Sequence, residues 1–238
     1  LEAAFKGISY FNLTSLSSQN LDYSSFSSYQ MIVLNNLNAV SSGLSFELQQ
    51  FMDEGGNLLV FPGRNASAGS YQPFLQSIPA NELVSWEDVS RQVGSINTYE
   101  FIFNDVLENR SANLNLPQSQ GNFKLTNFGS RQEEILMTYR DGTAFLAKYR
   151  KGKGHLYFCA APLDEELNNL VRNGEIFIPM LYKMSISAGE SKPIAYTIGQ
   201  DDLIQSNHQG TSGDIVYKLQ GEGEEFIPEQ RVLDLPFF

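Results

Sequence analysis

The clearest pattern in the chain lies at residues 29–63, where two short apolar runs flank an amphipathic segment. The runs at 31–34 and 57–61 are bounded by polar residues, which is typical of buried parallel strands. Between them, Ser41 or Ser42 can cap a helix, and Gly55 supplies a left-handed residue that ends it. The segment predicts a β-α-β unit whose helix has these apolar positions on one face: Leu44, Leu48, Phe51 and Met52.

A second pattern covers residues 134–159. Three stretches with strand character, at 134–139, 143–149 and 155–159, are separated by the turn-forming sequences RDG and RKGKG. They predict an antiparallel meander. Taken with the parallel unit, this predicts an α/β fold with a mixed sheet, parallel at its start and antiparallel at its end, and with helices on both faces.

The rest of the first 190 residues gives weaker patterns. A buried helix with Pro179 in its first turn is predicted, with these apolar residues: Ile176, Phe177, Met180, Leu181 and Met184. The other expectations are a strand at 7–16, a loop or short helix at 21–29, a short helix at 71–78, a strand at 83–90, and an irregular aromatic stretch at 97–128 with a short helix near 103–107.

The domain organisation follows from a break after residue 190. Residues 1–190 are predicted to form one α/β domain, and the sequence SKP at 191–193 reads as a linker. Strand signals then occur at 194–198, 214–219 and 226–233. About 45 residues are too few for a robust core of their own. We therefore expect 191–238 to be a β-rich appendage or the truncated start of a following β-module.

Composition narrows the classes of partner. A net charge of −11 argues against a surface for nucleic acid or anionic lipid, because such partners need clustered Lys and Arg. The sequence contains no run of 18 apolar residues, the length that a helix needs to span a bilayer. The single cysteine cannot form an internal disulfide, so the redox compartment stays open. The opening LEAAFKG resembles the tail of a helix, and we expect the chain to be part of a longer protein.

No catalytic or metal site is predicted. A cysteine nucleophile needs a sharp strand-to-helix bend and a nearby histidine base. Cys159 instead lies inside the apolar run LYFCAAP, and His155 is four positions earlier on the same strand, about 13 Å away at ~3.3 Å per residue. His208 lies far along the chain in a polar loop. The acidic stretch 164–166 fits a helix N-terminus better than a set of metal ligands.

Polar residues follow both parallel strands, at the sheet edge where open α/β sheets bind ligands. Arg64 with Ser67 could hold a small anion at a helix start. The stretch GRNASAG lacks the Lys-Ser/Thr pair of a phosphate-binding loop, and no cofactor is predicted. The predicted ligand-binding residues are Asn35, Asn36, Asn38, Arg64, Asn65 and Ser67.

Three stretches resemble one known family. The run YQMIVLNNLNAVSSGLSFELQQFMDEGGNLLVFPG, the segment YEFIFNDV at 99–106, and GHLYFCAAPLDEELNNLVRNGEIFIPMLYKM at 154–184 occur in similar order in the class I glutamine amidotransferase-like domains of BatA, or aerotolerance-regulator, membrane proteins. The family segment corresponding to 99–106 opens with a His-Pro-like pair, and Thr98-Tyr99 departs from that pattern. The resemblance covers roughly residues 29–189.

The resemblance implies a flavodoxin-like or class I glutamine amidotransferase-like fold. It also implies a periplasmic, extracytoplasmic location between transmembrane helices outside this sequence. The partners it implies are envelope proteins, including those of the von Willebrand A-type and those associated with MoxR-type ATPases.

The function expected from the residues and the resemblance is a non-catalytic interaction or scaffolding domain of a membrane-anchored envelope protein. Two alternatives stay open. One is a divergent hydrolase or amidotransferase using Ser67 or Cys159, and the other is a sensor of small ligands or carbohydrates using the Asn-rich loops.

Overall fold

A computed structural model describes residues 12–19, 21–104, 115–126 and 133–188, and the backbone of 219–220 and 225–226. The chain divides into two compact units, Leu1–Ile194 and Ala195–Phe238. In the second unit, Leu219–Gln220 pairs antiparallel with Glu225–Phe226. The other strands expected there, and the expected boundary between residues 190 and 191, lie outside the described residues and stay predictions.

The first unit contains nine described strands and three α-helices. Two 3-10 helices, at Tyr23–Ser28 and Asn169–Arg172, complete the regular structure of its described part. The strands and helices are, in chain order, β1 (Met31–Leu37), α1 (Ser42–Asp53), β2 (Asn57–Pro62), α2 (Ala68–Gln76), β3 (Leu83–Glu87), β4 (Arg91–Ile96), β5 (Gln118–Ser119), β6 (Asn122–Leu125), β7 (Glu133–Tyr139), β8 (Ala144–Lys151), β9 (Gly154–Cys159) and α3 (Gly174–Ile186).

Seven of the strands form one mixed sheet in the order β1-β2-β9-β8-β7-β4-β5. Strands β1, β2 and β9 are parallel, and β9, β8, β7 and β4 pair antiparallel in turn. Strands β3 and β6 form a separate antiparallel pair. The predicted α/β class, the mixed sheet and the antiparallel meander are confirmed.

The predicted β-α-β unit is also confirmed in detail. The Ser41 hydroxyl caps α1 by accepting a hydrogen bond from the Leu44 N–H at 3.2 Å. Gly55 ends the helix with a φ of 112°, a backbone conformation that residues other than glycine rarely adopt. Strand β2 is buried along its whole length, but β1 is only half-buried, because it lies at the edge of the sheet.

The core lies on both faces of the sheet, because alternate residues of β2 point in opposite directions. Leu59 and Phe61 pack with α3 on one face. Leu58 and Val60 pack with α1 and α2 on the other. These two helical layers exclude water from the central strands, which is the main source of stability in such a fold.

Several weaker expectations are wrong. The stretch 97–128 is not wholly irregular, because it contains β5 and β6, and β4 was not anticipated. These strands are short and polar, so their pairing depends on partners distant in the chain. Residues 12–16 of the expected first strand have no regular structure, and 7–11 lie outside the described residues. Residues 101–104 form turns, and the rest of the short helix expected there also lies outside them.

The last helix begins earlier than expected. Pro179 lies inside α3 rather than in its first turn, because the helix starts at Gly174. The acidic stretch 164–166 is a turn rather than a helix start, and the Asp164 carboxylate accepts a hydrogen bond from the Glu166 N–H at 2.9 Å. Across the described residues, every helix is too short or too polar to cross a bilayer.

Candidate functional site

The carboxyl ends of β1 and β2 bring part of the predicted ligand site together. The register between these strands shifts between Asn35 and Leu37, so that Asn36 bulges out. Its φ of 59° lies in the left-handed region, which asparagine tolerates better than most residues. The bulge turns the Asn36 side chain toward the end of β2.

The side chains of Asn36 and Asn38 meet over Gly63. A Cβ atom at Gly63 would lie 2.2 Å from Asn38 Oδ1 and 2.9 Å from Asn36 Oδ1, so a side chain there would displace both amide groups. The main chains are joined as well, because the Gly63 N–H donates to the Leu37 carbonyl at 3.1 Å and the Ser67 N–H donates to the Asn38 carbonyl at 2.8 Å. The structure therefore joins the two polar loops that the sequence suggested.

Arg64 has a partner that the sequence did not reveal. Its guanidinium lies 3.0 Å from an Asp88 carboxylate oxygen and 5.7 Å from the centre of the Trp86 ring. The same oxygen of Asp88 accepts a hydrogen bond from the Trp86 indole at 2.8 Å. Both charged side chains are more than half exposed. The Asp88 carboxylate balances the positive charge of Arg64 that an anion would otherwise bind.

The remaining predicted residues are Asn35, Asn65 and Ser67. Asn35 and Asn65 are exposed. Ser67 is the N-cap residue of α2, but its side chain makes no capping hydrogen bond. Arg64 and Ser67 thus border the same loop, with Arg64 directed to Asp88.

A loop after β5 covers the carboxyl end of β9. The Phe123 N–H donates to the Ala160 carbonyl at 2.7 Å, and the Gln120 N–H donates to the Leu167 carbonyl at 2.7 Å. Gly121 packs so closely on Trp86 that a Cβ atom there would lie 2.3 Å from the ring. Beside it, Asn122 is buried and its Oδ1 has no hydrogen-bond partner within the described part of the chain. In the sequence, residues 120–123 fall in the aromatic stretch 97–128 that was expected to be irregular, and no site was predicted there.

Cys159 and His155 do not form a reactive pair. Cys159 is fully buried within β9, and this burial raises the pKa of its thiol to about 12. His155 lies at the opposite end of β9, with Nδ1 3.3 Å from Asn57 Oδ1. Burial, followed by the nearby charge of Lys148, lowers the pKa of His155 to about 4. At neutral pH the thiol is protonated and the imidazole is neutral, whereas a cysteine nucleophile reacts as the thiolate.

One cluster of charged side chains lies on the α3 face of the sheet. Lys148 Nζ contacts Glu134 at 2.7 Å and Glu100 at 3.2 Å. The sequence did not suggest this cluster, because its members come from a turn and two strands. Among the described residues, no group of three His, Cys, Asp or Glu side chains is arranged to hold a metal ion.

No protein-family model and no curated protein matches the chain. Among solved structures, it is similar to the cytoplasmic protein STM3548 from Salmonella typhimurium, with a TM-score of 0.54, 9% identity, and coverage of 70% of this chain and 74% of that one. It is also similar to the cytoplasmic protein STM1381 from Salmonella typhimurium LT2, with a TM-score of 0.51, 11% identity, and coverage of 69% and 73%. A ThuA-like protein from Bacteroides uniformis ATCC 8492 aligns with a TM-score of 0.48, 10% identity, and coverage of 68% and 71%, which is too distant to support a conclusion.

These similarities correct the expected location of the protein and support the expected α/β fold. The periplasmic, extracytoplasmic location implied by the family resemblance is wrong by this comparison, because the two Salmonella proteins are named cytoplasmic. At such low identity the likeness speaks for the fold. The chain is a mixed α/β domain with the general architecture of these structures.

Proposed function

We propose that this chain is a non-catalytic domain that binds a protein partner, built on a flavodoxin-like, class I glutamine amidotransferase-like fold. The observation that carries the proposal is the state of Cys159. Its thiol is fully buried at the last residue of β9 and stays protonated at neutral pH. Catalysis by cysteine requires the opposite arrangement, an exposed thiolate on a tight bend.

The surface proposed for binding combines α3 with the turn that follows β4. On α3, Ile178 and Tyr182 lie one helical turn apart, and each is 40% exposed. In the turn, Tyr99 is 97% exposed and Phe101 is 46% exposed. We call these four residues the aromatic surface.

Lys183 connects the two parts of the aromatic surface. Its ammonium lies 4.9 Å from the centre of the Phe101 ring and donates to the side-chain oxygen of Asn104 at 2.6 Å. Lys183 therefore links α3 directly to the turn.

The chemistry of this surface suits a protein partner. Tyr and Phe are enriched at the centres of protein interfaces, where each supplies a large contact area at a low entropic cost. The net charge of −11 favours a partner that carries Lys or Arg around an apolar patch, because opposite charges speed association. The von Willebrand A-type and MoxR-associated proteins implied by the family resemblance remain candidates.

The test compares partner capture by the wild type with capture by two variants. Photo-crosslinking in cell extract, followed by mass spectrometry, should identify a protein that Tyr99→Ala/Tyr182→Ala loses. Phe46→Ala is the matched control, because Phe46 is 58% exposed on α1, which packs on the opposite face of the sheet. Equal capture by all three proteins, or none above background, would refute the proposal.

A second candidate function is the recognition of a small polar ligand at the carboxyl edge. The convergence of Asn36 and Asn38 over Gly63 favours it, because amide side chains offer both donors and acceptors to hydroxyl groups. A thermal-shift screen with sugars, nucleotides and peptidoglycan fragments tests this function. A ligand that stabilises the wild type and not Asn38→Ala would support it, and a uniformly flat screen would count against it.

A further inference from the structure

The charged cluster on the α3 face has unequal numbers of positive and negative groups. The Lys148 ammonium lies 2.7 Å from a Glu134 oxygen and 3.2 and 3.3 Å from the two oxygens of Glu100. The side chains of Lys148 and Glu100 are only 16% and 18% exposed. We call these three residues the Lys148 cluster. With both carboxyl groups ionised, it carries a net charge of −1 in a site that is partly shielded from water.

Within the described part of the chain, the ion pairs of Glu100 and Glu134 are both with Lys148. On β9, burial keeps His155 neutral and raises the pKa of Tyr157, so neither is charged at neutral pH. On β8, Arg150 is exposed, and its Nε donates to the Gly152 carbonyl. On α3, Lys183 donates to Asn104.

A single proton would balance the cluster. Burial raises the pKa of Glu100, and a hydrogen bond from Glu100 lowers the pKa of Glu134. Burial opposes the charge of Lys148, but its bonds to Glu134 and the charge of Glu100 prevail and raise its pKa. A protonated Glu100 can donate to the Glu134 carboxylate while Lys148 stays bound to both, which leaves no net charge.

Glu100 also organises the turn at residues 97–104. Its carbonyl accepts hydrogen bonds from the Phe103 and Asn104 N–H groups at 2.9 and 2.8 Å. The Asn97 N–H donates to the Leu136 carbonyl of β7 at 2.9 Å, and Ile102 and Phe103 are buried in the core. The Glu100 side chain, bound to Lys148 of β8, adds a second link between the turn and the sheet.

We propose that the Lys148 cluster is a proton-dependent latch, in which one proton shared by Glu100 and Glu134 tightens the 97–104 turn against the sheet. The turn carries Tyr99 and Phe101, so the effect of the latch on partner binding rests on the proposed function. The latch itself does not, because it is a property of the free chain.

Hydrogen exchange measures the latch directly. A raised carboxyl pKa means that the closed turn binds more protons than the open one, so closure is favoured as the pH falls. Between pH 7.5 and pH 5, the protection factors of the Phe103 and Asn104 amides, corrected for intrinsic exchange, should rise by up to about tenfold per pH unit. The Ile78 and Ala80 amides, which bond to Leu75 on the opposite face, serve as the control and should show no such rise.

Two variants separate the latch from a general effect of pH. Glu100→Gln mimics the protonated form and should give protection that is high and independent of pH. Glu134→Gln leaves the charge-balanced pair of Glu100 and Lys148, so the rise at low pH should disappear. An unchanged pH dependence in either variant, or flat protection in the wild type, would overturn the proposal. Loss of partner capture alone would refute the proposed function and leave the exchange result standing.

Discussion

Asn57 of β2 and His155 of β9 are joined across the parallel ladder, since the Asn57 side-chain oxygen accepts a hydrogen bond from the His155 N–H at 3.1 Å. The amide nitrogen of Asn57 donates in turn to the Met184 carbonyl at 2.7 Å and to the Ser187 hydroxyl at 3.0 Å. This fully buried asparagine therefore ties two strands to the end of α3.

Asn57→Ala should destabilise the domain by about 2 to 4 kcal/mol, because it leaves several buried polar groups without partners. Chemical denaturation measures the loss. Asn65→Ala, at an exposed position, is the control and should change the free energy of unfolding by less than about 0.5 kcal/mol. A similar loss in both variants would show that the network at Asn57 contributes little.

The stability of the domain should fall as the pH drops from 6.5 toward 4. The pKa of His155 is lowered from 6.5 to about 4 in the folded chain, so the unfolded chain takes up the proton first and gains stability across this window. In His155→Gln the decline should be shallower. The variant also removes one of the two histidine signals from a proton NMR titration. A His155 signal that titrates near 6.5 in the folded protein would contradict this prediction.

Two glycines should respond in opposite ways to alanine. At Gly154 a Cβ atom would lie 2.1 Å from the Gly56 carbonyl oxygen, which belongs to the backbone and cannot move aside. Gly154→Ala should therefore cost about 3 kcal/mol. Gly69 lies in α2 with nothing within 4 Å of the added atom, so Gly69→Ala should stabilise the domain by about 0.5 to 1 kcal/mol. Thermal or chemical unfolding distinguishes the two, and equal effects would argue against the close contact between β9 and Gly56.

The single thiol should be inert in the native protein. Raising the pKa of Cys159 from 9.0 to about 12 reduces the thiolate fraction at neutral pH about a thousandfold. A thiol reagent should label the protein only on unfolding, and Cys159→Ala should show no labelling under either condition. Rapid labelling of the native wild type would undermine the non-catalytic proposal as well.

The sequence was most informative where the pattern repeats over a few residues. The apolar spacing of α1 and the cap at Ser41 are local features, as are the turns between β7, β8 and β9. Whether this helix and these turns form depended little on the rest of the chain. The burial of Cys159 was also predicted correctly, because it lies in an unbroken apolar run of the kind that forms a central strand.

The candidate site was predictable only in part. The Asn-rich loop and the loop at Gly63 follow adjacent strands, so their meeting followed from the β-α-β unit. The contact of Arg64 with Asp88 and Trp86 did not, because the two segments meet through the β3–β6 pair. Strand β3 lies within the strand expected at 83–90, but its partner β6 lies in the stretch that was expected to be irregular.

The local order of hydrophobic and polar residues therefore determined the strands and helices with strong periodicity, the class of the fold and the burial of the cysteine. Tertiary structure decided the covering of β9 by residues 119–123, the network at Asn57 and the Lys148 cluster. Each of these needs side chains or main-chain groups from distant parts of the chain. Such contacts form only when the strand order of the sheet brings these parts together, and that order cannot be predicted from a local sequence pattern.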